Sequence, residues 1–295
     1  MRVISSLKKI NKLLMELRAQ GKSIGFVPTM GALHSGHLSL IKQAQKENDF
    51  LVVSIFVNPA QFGPQEDLSK YPRPLKNDLL LCRKAKVDLV FLPDKKNMYP
   101  HGFATFVRVE KIGDILCGAA RPGHFRGVAT VVAKLLNIVV PHVIYFGQKD
   151  AQQVAIIKKM ISDLNFFVKI KVMPTVREKS GLAMSSRNLY LSKEDAALAG
   201  VLREALNKAK ALIRGGSSDY QGIILRMKKM IREKGPFGID YISIVDLHNL
   251  NPVNKTSKGI LVALAVRIDK VRLIDNVVVR KNNRLIDSVK SSMTD

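Results

Sequence analysis

Within the segment GFVPTMGALHSGHLSLIKQA, His34 and His37 stand three residues apart with Gly36 between them. The segment follows a short apolar run and opens a helical pattern, so the pair sits on a strand-to-helix turn. Gly36 lets a phosphate approach the backbone where a side chain would intrude. The helix start offers free N–H groups and the positive end of the helix dipole. Two imidazoles on one face of such a turn can each donate to a phosphate oxygen, and together they can stabilise charge developing on a phosphoryl group. A zinc pair is the rival chemistry, but histidines at i and i+3 with no carboxylate or cysteine nearby make a poor zinc site. A lone histidine is usually a surface or core residue; here two histidines, a glycine and the turn coincide.

Three further groups carry chemistry. Asn58 and Gln61 follow an apolar run that reads as a strand, and Gln61 offers two donors and an acceptor to a hydroxy acid. Alone, that string is a turn. Gly147-Gln148-Lys149-Asp150 ends another strand and starts a helix. Lys149 can meet a phosphate as a point charge. Asp150 can cap the helix or accept from ribose hydroxyls, and both readings stay open. Met184-Ser185-Ser186-Arg187 supplies two hydroxyls and a guanidinium, a set that fits phosphates, although Ser-Ser-Arg by itself is common surface sequence. Cys82 and Cys117 are too few for a disulfide framework or a cysteine zinc site and read as structural. His101, His124 and His142 have no metal spacing. Arg121 and His124 could approach a ligand, without an assigned role.

Positioning these groups requires alternating strands and helices. Strand-like runs at Ser23–Val27, Leu51–Val57, Val87–Leu92, Val143–Phe146 and Val168–Val172 are separated by helical patterns at Leu38–Gln45, Asp78–Lys86, Val128–Ile138 and Ala151–Leu164. Continuous β-branched runs such as LVVSIFV suit strands covered on both faces. The expectation is an α/β fold: a Rossmann-like, doubly wound parallel sheet of five strands, with its order left open. The N-terminal segment reads as an amphipathic helix carrying Ile4, Leu7, Ile10, Leu14 and Leu17. After Pro174 the pattern changes to helices at Lys193–Arg214 and Tyr220–Lys234, then strands at Ile239–Val245, Ile260–Val266 and Val271–Val279. That order predicts a smaller α+β domain, with residues 1–176 forming the first domain and 177–295 the second. The tail after Arg280 reads as frayed. Residues 58–77 hold four prolines and no periodicity, the composition of a lid or binding loop.

Several strings carry a family resemblance. His34-Ser35-Gly36-His37 resembles the HIGH-type element of the nucleotidyltransferase superfamily, and PTMGALHSGHLSLI is similar to the pantothenate synthetase (pantoate–β-alanine ligase) family. The resemblance continues through VSIFVNPAQFG, RPGHFRGVATVV, FGQKDAQQ, PTVREKSGLAMSSRNLYLS, DYISIVD and VRLIDN. It implies ATP-dependent condensation of pantoate with β-alanine through a pantoyl adenylate, with Mg²⁺ and a homodimer. It implies catalytic roles for His34 and His37. It implies ATP contacts at Met30, Gly31, Ala32, Leu33, His34, Ser35, Gly36 and His37. Further ATP contacts follow at Gly147, Gln148, Lys149, Asp150, Val176 (through its backbone, to adenine), Met184, Ser185, Ser186 and Arg187. Gln61 and Gln153 become pantoate contacts, and Gln61 a β-alanine contact as well; metal ligands stay unassigned. The family most often has Glu where this chain has Gln148.

Composition bounds the rest. A chain of 295 residues, 46% hydrophobic and 24% charged, is an ordinary globular chain, which excludes global disorder, collagen and coiled coil. No apolar stretch approaches the ~18 residues of a membrane span. The N-terminus lacks a continuous apolar core and a small-residue cleavage site, so a cytoplasmic location is expected. The net charge of +24 suggests nucleic-acid binding, but it divides as +15 over residues 1–200 and +9 over 201–295, similar per residue. With 6% aromatics and no RNA-binding signature, a generally basic surface that attracts polyanions such as ATP is the stronger reading, without a specific nucleic-acid partner. Two alternatives stay open: another small-molecule nucleotidyltransferase on the same fold, and an RNA-binding module.

Overall fold

The computed structural model describes residues 1–64, 66–254 and 256–280. In chain order the first part runs β1 (Arg2–Ile4), α1 (Leu7–Ala19), β2 (Ile24–Thr29), α2 (Ser35–Glu47), β3 (Phe50–Ile55), α3 (Leu75–Lys84) and β4 (Leu89–Phe91). Two single turns, α4 (Lys95–Met98) and α5 (Cys117–Ala120), lead to α6 (His124–Val139), β5 (Val143–Gly147), α7 (Ala151–Asp163) and β6 (Lys169–Met173). The second part holds α8 (Lys193–Leu198), α9 (Val201–Arg214), α10 (Tyr220–Arg232), β7 (Gly238–Asp246), β8 (Gly259–Ile268) and β9 (Val271–Arg280).

The larger sheet is parallel and six-stranded, in the order β1-β4-β3-β2-β5-β6. Its five inner and right-hand strands follow the doubly wound pattern, with the order reversing between β2 and β5. The strand missing from the five expected is β1, which pairs with β4 at the sheet edge. Ile4 therefore belongs to a strand and not to the amphipathic helix, which starts after Ser6, whose hydroxyl accepts from Lys9 N–H at 3.4 Å. Three residues at an edge are too short to show a period. Likewise, the single pattern over 193–214 divides into α8 and α9 around Ala199-Gly200, where a Cβ on Gly200 would lie 3.0 Å from the Ser180 carbonyl oxygen.

Strands β2 and β5 pair only at Gly25–Val143 and Phe26–Ile144. Beyond that point β2 stays with β3 through Thr29 and β5 stays with β6 through Gly147, so the sheet parts at its C-terminal edge. Pro28 sits in the parted stretch. Because the Thr29 carbonyl accepts from Phe56 N–H on the β3 side, residue 28 turns its backbone towards the β5 side, where proline's missing N–H costs no ladder bond.

The smaller sheet is antiparallel, β7-β8-β9, and packs against α9 and α10 in a core of its own that includes Leu202, Leu206, Ile231, Val262 and Leu264. A separate cluster of Ala151, Ala155, Val245, Leu250, Leu261 and Ala263 joins α7 to this second sheet. The tail expected to fray lies outside the described residues.

Candidate active site

A cleft opens where the sheet parts. His34, Gly36 and His37 line it from the β2–α2 turn, Lys149 and Asp150 from the β5–α7 turn, Gln61 from beyond β3, and Ser185 to Arg187 from the second part. Met30, Gly147, Gln153, Val176 and Met184 line it too. The fold thus brings together residues from five separate stretches of sequence.

The histidines hold each other's place. His34 caps α2: its Nδ1 accepts from Gly36 N–H at 3.1 Å, and His37 Nδ1 accepts from His34 N–H at 3.4 Å. A ring whose Nδ1 accepts carries its proton on Nε2 when neutral, so each imidazole keeps one N–H donor for a ligand. The ring centroids are 4.1 Å apart. Burial, then the charge of Lys149, pushes His34 down to about 4, partly opposed by Asp150. Burial, then His34 and Lys149, pushes His37 down to about 3. Both are neutral donors at pH 7. Gly36 has a second reason to be glycine, since a Cβ there would meet His34 Nδ1 at 2.9 Å.

Gln61 is 9% exposed. Its Oε1 accepts from Asn58 Nδ2 at 3.0 Å, and Asn58 Oδ1 accepts from Tyr99 OH at 2.7 Å. Asn58 also donates to the Gly127 carbonyl at 3.1 Å; a Cβ on Gly127 would lie 2.1 Å from the Ala60 oxygen, so α6 can approach this turn only with glycine there. Gln61 Nε2 is left donating to Met30 Sδ at 3.0 Å, a weak acceptor that a ligand oxygen can replace. Adjacent glutamines divide their tasks. Gln153 faces the cleft, whereas Gln152 Nε2 holds the Ile112 and Ile115 carbonyls at 2.9 and 2.7 Å. Val128, Val131, Val132 and Leu135 of α6 form an apolar wall of the cleft.

Several groups expected at the ligand are engaged by protein. Gly31, Ala32, Leu33, Ser35 and Gln148 are not among the lining residues. Ala32 and Leu33 direct their N–H groups to the Asp78 carboxylate at 2.9 and 2.8 Å. Gln148 Nε2 donates to Asn276 Oδ1 at 3.2 Å, and Asn276 Nδ2 donates to the Gln148 and Lys149 carbonyls at 2.9 and 2.8 Å. The Val176 carbonyl accepts from Met184 N–H at 3.0 Å, closing the small hairpin that brings Ser185 to the cleft. Asp78, Asn276 and the α6 wall are the site elements that sequence reading missed. Asp78 looks like any acidic residue in a first helical turn, Asn276 like a strand residue, and the wall like core.

The 58–77 stretch is more structured than its composition suggests: Pro59–Gln61 forms a 3-10 turn and α3 begins at Leu75. Its middle is clasped from two sides. Glu66 receives Arg121 Nε and Nη2 at 2.7 and 2.5 Å, and Asp67 receives Arg187 Nε and Nη2 at 3.1 and 2.8 Å. Arg121 also donates to His124 Nε2 at 3.0 Å, and His124 Nδ1 donates to the Gln61 carbonyl at 2.8 Å. Burial and then Arg121 hold His124 near 4.

Fold and cleft together define the class: a Rossmann-type α/β enzyme whose switch point gathers neutral histidine donors, a lysine and an arginine around one cleft. The comparisons sharpen this. A family model described as pantoate-beta-alanine ligase matches residues 2–278. The pantothenate synthetases of Acetivibrio thermocellus and Thermosipho melanesiensis are 51% and 52% identical over 279 residues, spanning 95% of this chain and 99% of each relative. Among solved structures, pantothenate synthetase from Thermus thermophilus superimposes with a TM-score of 0.88 at 44% identity, covering 94% of this chain and 99% of that one. Pantoate-beta-alanine ligase from Francisella tularensis, complexed with beta-gamma ATP and beta-alanine, gives 0.77 at 39% identity, covering 94% and 97%. The chain belongs to the pantoate–β-alanine ligase family. It is a ligase that condenses pantoate with β-alanine, and the matches give no support to a transferase that stops at a nucleotidyl product.

Proposed function

We propose that this ligase uses ATP, forms a pantoyl adenylate with release of pyrophosphate, and then lets the amine of β-alanine displace AMP. The observation that supports this most directly is the pair of neutral Nε2–H donors that share the cleft with Lys149 and feel its charge. Attack of the pantoate carboxylate on the α-phosphorus shifts negative charge onto phosphate oxygens, and preorganised neutral donors stabilise that charge without first losing a proton. Lys149 and Arg187 take the β- and γ-phosphates and the departing pyrophosphate. Gln61 and Gln153 orient the pantoate carboxylate and hydroxyl, and the α6 valines take its gem-dimethyl group. Gln61 then meets β-alanine.

Mg²⁺ fits this cleft as a companion of the triphosphate. Asp150 is the single carboxylate among the described lining residues, and Mg²⁺ beside phosphates needs only one or two. The ion supplies charge neutralisation of the phosphate oxygens. Residues 1–176 form the ATP- and pantoate-binding domain and 177–295 a smaller unit that covers it. A homodimer in the cytoplasm completes the proposal, tested by light scattering and cell fractionation.

The deciding experiment mixes protein, ATP, Mg²⁺ and pantoate whose carboxylate carries labelled oxygen. Pyrophosphate should appear before β-alanine is added, and the label should pass to AMP after it. Label in inorganic phosphate would mean an acyl-phosphate route and sink the adenylate reading.

A further inference from the structure

We propose that Asp78 is a positioning residue for the adenylation step, its buried carboxylate fixing the Gly31–Leu33 turn and so setting the aim of His34 and His37. The proposal rests on the histidine roles given above.

Asp78 lies in the first turn of α3 and is 1% exposed. Both carboxylate oxygens are engaged by backbone on the far side of the loop. Oδ2 accepts from Ala32 N–H at 2.9 Å and Oδ1 from Leu33 N–H at 2.8 Å. No cation among the described residues pairs with Asp78, so two backbone dipoles do the work of a counter-charge. A buried carboxylate spread over two consecutive amides is a rigid template, because moving either amide leaves an oxygen unpaired.

The turn requires such a template. Gly31 and Ala32 have φ values of 83° and 49°, consecutive residues in the left-handed region, the second of them bearing a side chain. A Cβ on Gly31 would lie 3.0 Å from Asp78 Oδ2 and 3.1 Å from Ile55 Cγ2, so the backbone is closed down onto the carboxylate. Thr29 Oγ1 takes Gly31 N–H at 3.2 Å. The amides of residues 31, 32 and 33 thus point inward to side chains. The next amide, His34 N–H, begins the exchange of bonds that orients both imidazoles. A shift at Leu33 therefore passes directly into the histidine pair. Displacements of about 1 Å at groups that orient a reaction cost up to ~10²-fold in rate.

Ala32 and Leu33, expected to touch ATP, give their N–H groups to Asp78, so those two donors are engaged within the turn. Asp78 itself does not line the cleft.

The test pairs Asp78→Asn with Val87→Ala, a truncation of a 2% exposed side chain in the hydrophobic cluster that also holds Leu33 and Cys82, which leaves the Asp78 carboxylate in place. Asn presents an N–H₂ to one of the two amides, setting donor against donor. The single-turnover rate of pyrophosphate formation from ATP and pantoate should fall ~10²-fold in Asp78→Asn, and half-saturating pantoate should move less than about threefold. Val87→Ala should lose thermal stability but keep the rate. In the native protein, amide exchange at Ala32 and Leu33 should be strongly slowed and stay slowed when ATP binds. A rate within about threefold of native in Asp78→Asn, or the same loss in Val87→Ala, overturns the proposal. So does free exchange at those amides, or their transfer to ATP. If Asp78→Asn does not fold, the exchange measurement decides alone. Full rates in both His34→Ala and His37→Ala would defeat the histidine reading and this proposal with it; a full rate in Asp78→Asn alone defeats only the positioning role.

Discussion

The two turns that face each other across the cleft are held in different ways. The turn after β2 is fastened by Thr29, Asp78 and its own histidines, all within the six-stranded sheet and its helices. The turn after β5 carries Lys149 and Asp150, and its backbone carbonyls at Gln148 and Lys149 are held by Asn276, a residue of β9 that is 4% exposed. The histidine half of the cleft is thus fastened mainly by the first sheet, the second part adding one bond, from Ser186 Oγ to the Ala32 carbonyl at 3.2 Å. The lysine half is completed only when the second sheet docks.

The largest effect should fall on the histidine half. His34→Ala or His37→Ala should slow pyrophosphate formation by ~10²-fold or more, the scale of losing one preorganised donor. Because the two rings also cap α2 reciprocally, each variant should lose about 0.5–2 kcal/mol of stability, read from denaturant unfolding. Equal activity in these variants and the native protein would erase the contrast between the halves.

A smaller effect should come from the docked half. Asn276→Ala leaves two carbonyls of the Lys149 turn without their donor, a cost of about 1–3 kcal/mol. Since Lys149 keeps its charge, the adenylation rate should fall only about tenfold. Amide exchange should rise in residues 147–150 and not in residues 31–37. Exchange rising equally in both turns would show that the halves are not independent.

Smaller again is the clasp between the two parts. Asp67 and Arg187 are 27% and 29% exposed, so the pair contributes only about 0.2–1 kcal/mol. Asp67→Asn frees the guanidinium for phosphate. Half-saturating ATP should drop a few-fold with little change in melting temperature. A rise in half-saturating ATP would mean that the clasp assists binding.

The smallest expected change is in the histidine charge. With His34 near 4 and His37 near 3, neither ring should titrate between pH 5.5 and 8 in ¹³C-labelled protein without ligands. The folded values lie below the unfolded 6.5, so the fold favours neutral rings. That contribution is complete above pH 6.5 and is lost as pH falls towards 4 and 3, which adds to acid unfolding. A midpoint near 6.5 in the folded protein would show open, solvated rings.

Much of the site was legible because its chemistry is local. His34, Gly36 and His37 declare themselves by type, spacing and the strand-to-helix context, and Lys149 and Asp150 by a turn at the end of an apolar run. The α/β class followed from alternating apolar runs, and the second unit from a change in that alternation after Pro174. Edge strand β1 was not legible, because three residues carry no period.

What sequence alone determined is therefore the set of reactive groups and the elements that present them, since both depend on residue type and short-range spacing. What only the tertiary structure decided is which groups meet. The parting of β2 from β5 opens the cleft that His37 and Lys149 share. Asp78 reaches back 45 and 46 residues to the histidine turn, and Asn276 reaches back 127 and 128 to the lysine turn. The valines that a helical period marks as core become one wall of the cleft. The physical reason is that a buried carboxylate or amide finds its partners by proximity in the folded chain. Neither its type nor its neighbours in sequence record which distant backbone groups it will satisfy.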